Sequence, residues 1–241
     1  MRNTEFSLRH LDWRASLEWL GHTPFWLAVE ERTPYEILAT LACPPEIPDY
    51  TWIRLFASAS RALLDQSFAL LLENACAELP RGMTLTGIGL YNWFSELLAT
   101  NGFNIHQHIV ILEWGGRLPP ALSLPASLRL RPMEIEDLDE VHEIDNLAFE
   151  PLWQNSQEEV LRSLVQSAYS TVAEVDHHII GYQISTGSFF AAHLARLAIH
   201  PKYQHQSIGY LLVEDLQQHF LRMNVDRLTV NTQNNNAASL A

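Results

Sequence analysis

The stretch from His200 to Tyr210 has the residue types and spacing of a site that binds an anion. It follows a short apolar run, residues 194–199, that predicts a buried strand, and Pro201 ends that strand because proline cannot donate to a ladder. From Ser207 onward apolar residues recur at helical spacing, so a helix begins there. Unpaired N–H groups at a helix start attract anions, and Gly209 lets a phosphate approach the backbone. An ordinary strand–turn–helix would use the same residues.

The same residues resemble a family motif. The run Gln204-His205-Gln206-Ser207-Ile208-Gly209 is similar to the acetyl-CoA-binding loop of the GNAT acyltransferases, which reads Gln/Arg-x-x-Gly-x-Gly/Ala. Ser207 stands where the family usually has its first glycine. The family continues into a strand and a motif resembling Asn-x-x-Ala/Ser-x-x-Leu-Tyr, and residues 227–231 and 236–241 resemble these in the same order. The resemblance covers roughly the C-terminal half of the chain.

The resemblance implies acetyl-CoA as co-substrate and assigns residues to it. The backbone N–H groups of the predicted strand would hold the pantetheine arm and the acetyl carbonyl, at Leu197, Ala198 and Ile199. The loop would hold the pyrophosphate through Gln204, His205, Gln206, Ser207, Ile208, Gly209 and Tyr210. Asn236 matches the asparagine of the later motif.

The resemblance also points to an acceptor site. Phe149, Glu150 and Trp153 lie where Pro151 interrupts a helical pattern, a region that commonly borders the acceptor in GNAT proteins. A hydrophobic hinge with a surface glutamate is the alternative interpretation. Many members carry a glutamate on the central strand, but residues 188–199 contain no carboxylate. His193 is the residue there whose pKa lies near neutrality, so it is the predicted base, although a structural histidine is the simpler interpretation.

The general acid of the family is not accounted for. A tyrosine normally follows the Asn-x-x-Ser-x-x-Leu motif, together with a last helix and strands, and this chain ends at Ala241. We therefore expect the second domain to be incomplete at its C-terminus relative to the family.

Composition and charge limit the classes of partner. The 241 residues carry 28 acidic and 15 basic side chains, and the net charge of −13 disfavours nucleic acid and anionic lipid and mildly favours a cationic substrate. Acidity that serves solubility alone is the simpler interpretation. Cys43 and Cys76 are isolated, which suits a reducing cytoplasm, and His177-His178 reads as an exposed turn. We expect a cytoplasmic protein with no metal, nucleic-acid or membrane partner; the sequence does not predict its oligomeric state.

The periodicity of the first half predicts a domain at residues 1–114. Its elements are a helix at 11–20, strands at 24–30, 35–42 and 49–56, a helix at 60–79, a strand at 84–90, a helix at 93–100 and a strand at 104–114. This order is GNAT-like, but residues 57–61 join strand to helix without a glycine or enough length for a phosphate cradle. We expect a degenerate GNAT-like domain that does not bind CoA.

A Gly/Pro-rich linker at residues 115–127 leads to a second domain at 128–241. Its predicted elements are a strand at 128–131, an acidic helix at 133–149 with a solvated charged face, a helix at 157–166 and strands at 169–175 and 179–185, before the strand and loop described above. The predicted fold is α/β (α+β), with two GNAT-like domains that are each a mixed sheet flanked by helices.

These observations predict an N-acyltransferase that moves an acetyl group from acetyl-CoA to an amine. The acceptor would be a small molecule, a protein N-terminus or a lysine. The alternative is a non-catalytic acyl-CoA-binding or scaffold protein built from GNAT-like domains.

Overall fold

The structure is a computed structural model that describes residues 4–31, 35–118, 120–123, 125 and 127–240. The chain divides into two compact units, Met1–Ile105 and His106–Ala241, here called the first and second unit. Each unit contains β-sheet flanked by helices, which confirms the predicted fold class. Residues 32–34, between the strands predicted at 24–30 and 35–42, and residues 119, 124 and 126 of the predicted linker lie outside the described residues.

Among its described residues, the first unit has six strands and two α-helices. They are β1 (Phe6–Arg9), β2 (Phe25–Glu30), β3 (Glu36–Ala42), β4 (Tyr50–Trp52), β5 (Leu55–Ser58), α1 (Leu64–Glu78), β6 (Thr84–Thr86) and α2 (Asn92–Thr100). Four strands form an antiparallel sheet in the order β1-β5-β3-β2, and β4 pairs parallel with β6. Phe56, Phe68 and Phe94 are fully buried and pack together in its core, mostly edge to face.

Two elements of the first unit differ from prediction. The helix predicted at residues 11–20 is wrong: only Ser16–Trp19 form a 3-10 turn. The side chains of Asp12 and Arg14 turn inward to ion pairs with Arg54 and Glu46, while Leu17 is exposed. The strand predicted at 49–56 is two strands, β4 and β5, in different sheets.

The part of the second unit that the structure describes contains six further strands and four α-helices. They are β7 (Ile109–Trp114), β8 (Leu128–Pro132), α3 (Leu138–Ala148), α4 (Gln157–Gln166), β9 (Tyr169–Val175), β10 (His178–Gly187), β11 (Ala192–Ile199), α5 (Ile208–Arg222), β12 (Leu228–Gln233) and α6 (Ala237–Leu240). The sheet order is β7-β12-β11-β10-β9-β8. Among the described residues, no helix has the length and apolarity needed to span a bilayer.

One strand belongs to a different unit than predicted. We assigned residues 104–114 to the first domain, but β7 pairs antiparallel with β12 from Leu228↔Trp114 to Gln233↔Ile109. These pairs satisfy the backbone of the β12 edge that would otherwise be open, which explains why the second unit begins at His106.

The predicted solvated face of the acidic helix is also wrong at one position. Asp137 is only 8% exposed and accepts from both terminal nitrogens of Arg131, at 2.7 and 2.9 Å. The sequence shows a run of acids, but the partner lies on the neighbouring strand β8, so burial of Asp137 depends on a tertiary contact.

The two units repeat one arrangement. In each, an antiparallel hairpin precedes a helix of 15 residues, which is followed by a strand and another helix. A strand between the hairpin and the long helix pairs parallel with the strand after that helix over three residues only: β4 (Tyr50–Trp52) with β6 in the first unit, and residues 192–194 of β11 with β12 in the second. In the first unit β5 lies between β4 and the helix. Beyond the paired residues the units differ, because in the first unit β1 pairs along the free edge of β5.

Candidate functional site

A gap opens between the two central parallel strands of the second unit. β11 and β12 pair only at Ala192↔Leu228, His193↔Thr229 and Leu194↔Val230. β11 nevertheless continues to Ile199 on β10, and β12 continues to Gln233 on β7. The facing edges of residues 195–199 and 231–233 are therefore not paired with each other, and their backbone groups line the gap.

A β-bulge in β11 sets which side chains share a face. The register shifts opposite Ile184 and Ser185, so Ala195 is an extra residue on β11. His193 and Arg196 are three positions apart and would face opposite sides of a regular strand. The bulge places both on the side of α3, whereas Leu194 packs with Phe220 of α5 on the other side.

Backbone donors of β11 point into the gap. The N–H of His200 donates to the Ile180 carbonyl across the β10 ladder. Alternation along an antiparallel ladder then turns Ala198 towards β10 and turns Leu197 and Ile199 towards the gap. The Gln204 amide donates to the Ile199 carbonyl at 3.1 Å and so ties the following loop to this edge.

The loop before α5 presents consecutive unpaired donors. Within the described residues, no hydrogen bond is made by the backbone N–H groups of residues 205–210, and the first bond of the turn is Leu211 N to Ser207 O. His205 and Ser207 have φ of 61° and 63°, in the left-handed region. Left-handed residues can turn neighbouring N–H groups to one side, and here those groups lie at the positive end of α5, where they can form an anion-binding concavity.

Gly209 leaves this concavity open. A Cβ at Gly209 would meet only Ile199 Cγ1, at 3.8 Å, so the protein itself does not require glycine there. The left-handed conformation falls instead on Ser207, at the position of the first glycine in the resembled motif. The geometry suits a group with a diphosphate, which would occupy the space beside Gly209 and accept from the unpaired N–H groups.

Two predicted cofactor residues use their side chains inside the protein. The Tyr210 hydroxyl donates to the Pro120 carbonyl. Asn236 donates to Thr232 Oγ1 at 3.1 Å and accepts from Ser239 N at 3.2 Å, so it caps α6. The backbone of Tyr210 lies in the first turn of α5, whereas Asn236 lies beyond the end of β12.

His193 is half-buried on β11 beside the gap. Its Nδ1 lies 2.9 Å from Thr229 Oγ1, and that oxygen lies 3.5 Å from the Ala192 carbonyl. When the hydroxyl donates to the carbonyl, the ring donates from Nδ1 and keeps its lone pair on Nε2. Burial lowers the pKa of His193 from its ordinary value of 6.5, against a smaller opposing effect of Thr229. The imidazole is therefore neutral at pH 7.

The predicted acceptor residues lie in the segment between α3 and α4. Arg196 joins this segment to β11: its Nη2 donates to the Trp153 carbonyl at 2.6 Å, and its Cζ lies 3.6 Å from the Phe149 ring centroid. The Trp153 indole N–H donates to Gln107 at 2.9 Å. Glu150 is exposed on the same segment. The structure thus brings Phe149 and Trp153 to the strand that carries His193.

Sequence reasoning missed the buried charges that make this connection. Arg196 pairs with Asp145, and the Tyr182 hydroxyl donates to the same carboxylate. Two signals were present. Arg196 interrupts an otherwise apolar strand, and Asp145 follows Val141 by four residues on the apolar side of α3. A charge in each buried pattern indicates a pair.

No metal centre accompanies the site. Across the part of the chain that the structure describes, no group of three or more His, Cys, Asp or Glu side chains is arranged to hold a metal ion. Cys43 and Cys76 are both free thiols.

Comparison with known proteins finds a family model that matches part of the second unit. Residues 138–241 match the model of the acetyltransferase (GNAT) family. No curated protein matches the sequence of the chain.

Two solved structures resemble most of the chain. A GCN5-related N-acetyltransferase from Sphaerobacter thermophilus has a TM-score of 0.59 and 14% identity, over 91% of this chain and 76% of that one. A tandem GNAT protein from the clavulanic acid biosynthesis pathway has a TM-score of 0.60 and 16% identity, over 90% and 76%. At these identities the likeness shows the fold, and it extends over both units.

Proposed function

The chain has a tandem GNAT fold whose residues 138–241 are a GNAT acetyltransferase domain, and from this premise we propose that the second unit transfers the acetyl group of acetyl-CoA to an amine. One observation carries the proposal: the gap between β11 and β12 leads to a loop with six unpaired N–H groups. A narrow slot that ends in an anion site fits a thioester on a long arm that carries a diphosphate.

Residues of β11 and the loop would hold acetyl-CoA. Leu197 and Ile199 direct backbone donors into the gap, with Ala198 between them, and would bind the pantetheine arm and the acetyl carbonyl. The diphosphate would accept from the backbone between His205 and Tyr210, with Gln204 fixing the loop to the strand. Asn236 remains a predicted contact from the family motif.

Bound acetyl-CoA supplies an activated carbonyl carbon, which bonds to the amine nitrogen as the C–S bond breaks and the sulfur leaves as a thiolate. The protein must then do three things: polarise the carbonyl, remove a proton from the amine and exclude water. The backbone N–H groups of β11 are fixed donors for the first task, because they belong to a paired strand and need no reorganisation.

His193 is the proposed proton acceptor. It shares the α3 side of β11 with Arg196, and its Nε2 lone pair is available when Nδ1 donates to Thr229. A neutral imidazole can accept a proton from the amine directly or through one water. Phe149, Glu150 and Trp153 would contact the acceptor, and the exposed carboxylate together with the net charge of −13 favours an acceptor that arrives as a cation.

The first unit is proposed not to bind CoA. The equivalent edge, on β5, is fully paired with β1 from Phe6↔Ser58 to Arg9↔Leu55. Leu8 of β1 is 1% exposed, so the strand is part of the core and not a loose cover. The place that is open in the second unit is filled here by the chain itself.

Titration calorimetry of the whole chain with acetyl-CoA tests the binding half of the proposal. Mass spectrometry then tests transfer to four amines: spermidine, tyramine, an Ala-Phe-Gly peptide and an N-acetylated lysine peptide. Binding with acetylation of any amine supports the enzyme. Binding without transfer would favour an acyl-CoA-binding scaffold, and absence of binding would overturn the proposal.

A further inference from the structure

An ion pair lies buried between α3 and the central strand. Arg196 Nε donates to Asp145 Oδ2 at 2.7 Å, and Nη2 donates to Oδ1 at 2.8 Å. The side chains of Asp145 and Arg196 are 0% and 15% exposed. The Tyr182 hydroxyl of β10 donates to the same carboxylate. Each charge is therefore paired and hydrogen-bonded, which is the condition for keeping charges in a protein interior.

The same pair fastens the segment between α3 and α4 at three points. The Arg196 guanidinium donates to the Trp153 carbonyl at 2.6 Å and stacks on Phe149 at 3.6 Å. The backbone N–H of Asn155 donates to Asp145 Oδ1 at 2.9 Å. Two proposed acceptor contacts are thus attached to a residue of β11.

Stability alone does not account for this arrangement. Desolvation offsets much of the attraction in a buried pair, and apolar side chains of similar size often replace such pairs without loss. A guanidinium differs from them in direction, since its planar donors fix a carboxylate, a carbonyl and a ring at set angles. The pair is suited to fixing geometry.

The location of Arg196 decides what is fixed. It follows the bulge at Ala195 and precedes Leu197, the first proposed donor into the gap. Arg196 therefore fixes the position of the segment with Phe149 and Trp153 relative to β11, the strand that would hold the acetyl carbonyl. Misplacement of a reactant by about 1 Å can cost about a hundredfold in rate.

We propose that Arg196, held by Asp145 and Tyr182, is a positioning residue that sets the acceptor site against the acetyl-CoA strand. The inference deepens the proposed function and rests on it. It assigns the alignment of the acceptor to a residue that need not touch either substrate.

The test replaces both charges in the whole chain with Arg196→Met and Asp145→Asn together. The amide oxygen can still accept from Asn155 N–H and the amide NH2 can donate to the Tyr182 hydroxyl, so no buried charge is left unpaired while the guanidinium contacts are lost. Arg131→Met with Asp137→Asn is the matched control, because it removes another two-point Arg–Asp pair that does not touch the segment.

Amide hydrogen exchange gives a readout that needs no acceptor. We expect the amides of Trp153 and Gln154, which bond to Glu150 and Pro151, to exchange about tenfold or more faster in the Arg196 variant. The loop at residues 205–210 and the control variant should match the unaltered chain. Unchanged exchange of the segment would overturn the inference.

Kinetics with the same four amines complete the test. For an amine that the unaltered chain acetylates, the KM of that amine should rise about tenfold or more in the Arg196 variant, while the Kd for acetyl-CoA stays within about twofold. Equal acceptor KM in variant and unaltered chain would reduce the pair to a structural contact. An unaltered chain that binds no acetyl-CoA would overturn the proposed function itself, and the exchange data would still decide whether the pair holds the segment.

Discussion

Among single residues, His193 combines a pKa lowered by burial with a position on β11 beside the gap. Burial lowers its pKa below the ordinary value of 6.5, so protonation is disfavoured in the folded state and occurs only as the pH falls below that value. A base in this state is ready to accept a proton at pH 7 without first losing one.

The first prediction concerns His193→Ala. Turnover should fall about a hundredfold, at the lower end for loss of a general base, with the Kd for acetyl-CoA unchanged. In the unaltered chain the rate should be level above about pH 6.5 and decline as the pH falls further, because the protonated ring cannot act as base. Steady-state kinetics from pH 5 to pH 8 measure both effects.

His219 is the matched control for that prediction. Its pKa is also lowered by burial, and then by Arg222, but its ring stacks on Tyr169 at 3.7 Å, away from the gap. His219→Ala should leave the pH profile unaltered. If the pH profile changed equally in both variants, the decline of the rate at low pH would reflect loss of stability and not protonation of the base.

Ser207 carries strain that the second prediction uses. A φ of 63° destabilises the folded state by about 1–2 kcal/mol for a non-glycine residue, a cost that glycine avoids. Glycine in turn loses more conformational entropy on folding, which costs about 0.5–1 kcal/mol. Ser207→Gly should therefore stabilise the second unit by about 0.5–1 kcal/mol. Urea unfolding measures the difference, and Ser207→Ala, which keeps the strain, should show no gain.

At the scale of elements, the start of α5 is the proposed diphosphate site. In a third prediction, Gly209→Trp weakens acetyl-CoA binding at least about tenfold, equivalent to about 1.4 kcal/mol, because the indole fills the concavity. The fold should persist, since a Cβ there meets only Ile199. Ala62→Trp places the same side chain in the exposed 3-10 turn just before the first unit's long helix and should not change affinity. Equal affinities of the two variants for acetyl-CoA would show that the diphosphate does not bind beside Gly209.

Elements with local signals could be predicted from the sequence. α4 was expected at residues 157–166 and is observed at Gln157–Gln166, with Ser156 accepting from Glu159 N at its start. The strand, loop and helix around Pro201 could likewise be predicted, because the effects of proline, glycine and helical spacing on the backbone extend over only a few neighbouring residues.

Elements defined by distant partners could not be predicted. β1 is four residues long with no periodicity to detect, and it exists because β5 offers an edge about fifty positions later. The assignment of β7 depends in the same way on β12. Asp145 and Arg196 are separated by 51 residues, so each looked like an isolated exception within its own pattern.

For the whole molecule, the two units predict different behaviour towards one ligand. We expect one acetyl-CoA to bind per chain, because the second unit has an open gap and a phosphate loop while the first has neither. Calorimetry gives the stoichiometry directly. In the Gly209→Trp chain the same single site should titrate at least about tenfold more weakly. A second full site in either chain would contradict the assignment of the first unit.

The strand β1, which pairs along the edge of β5 in the first unit, can also be regarded as a peptide ligand bound in a groove of that unit. β1 contributes four ladder pairs, a buried Leu8 and an edge-to-face contact of Phe6 with Trp93 at 5.3 Å. A chain without residues 1–10 should lose thermal stability, and a synthetic peptide of residues 4–10 should restore it from solution, whereas the peptide with Leu8→Asp should not. The first unit would then act as a clip, to which any cargo fused to that peptide attaches without a covalent bond.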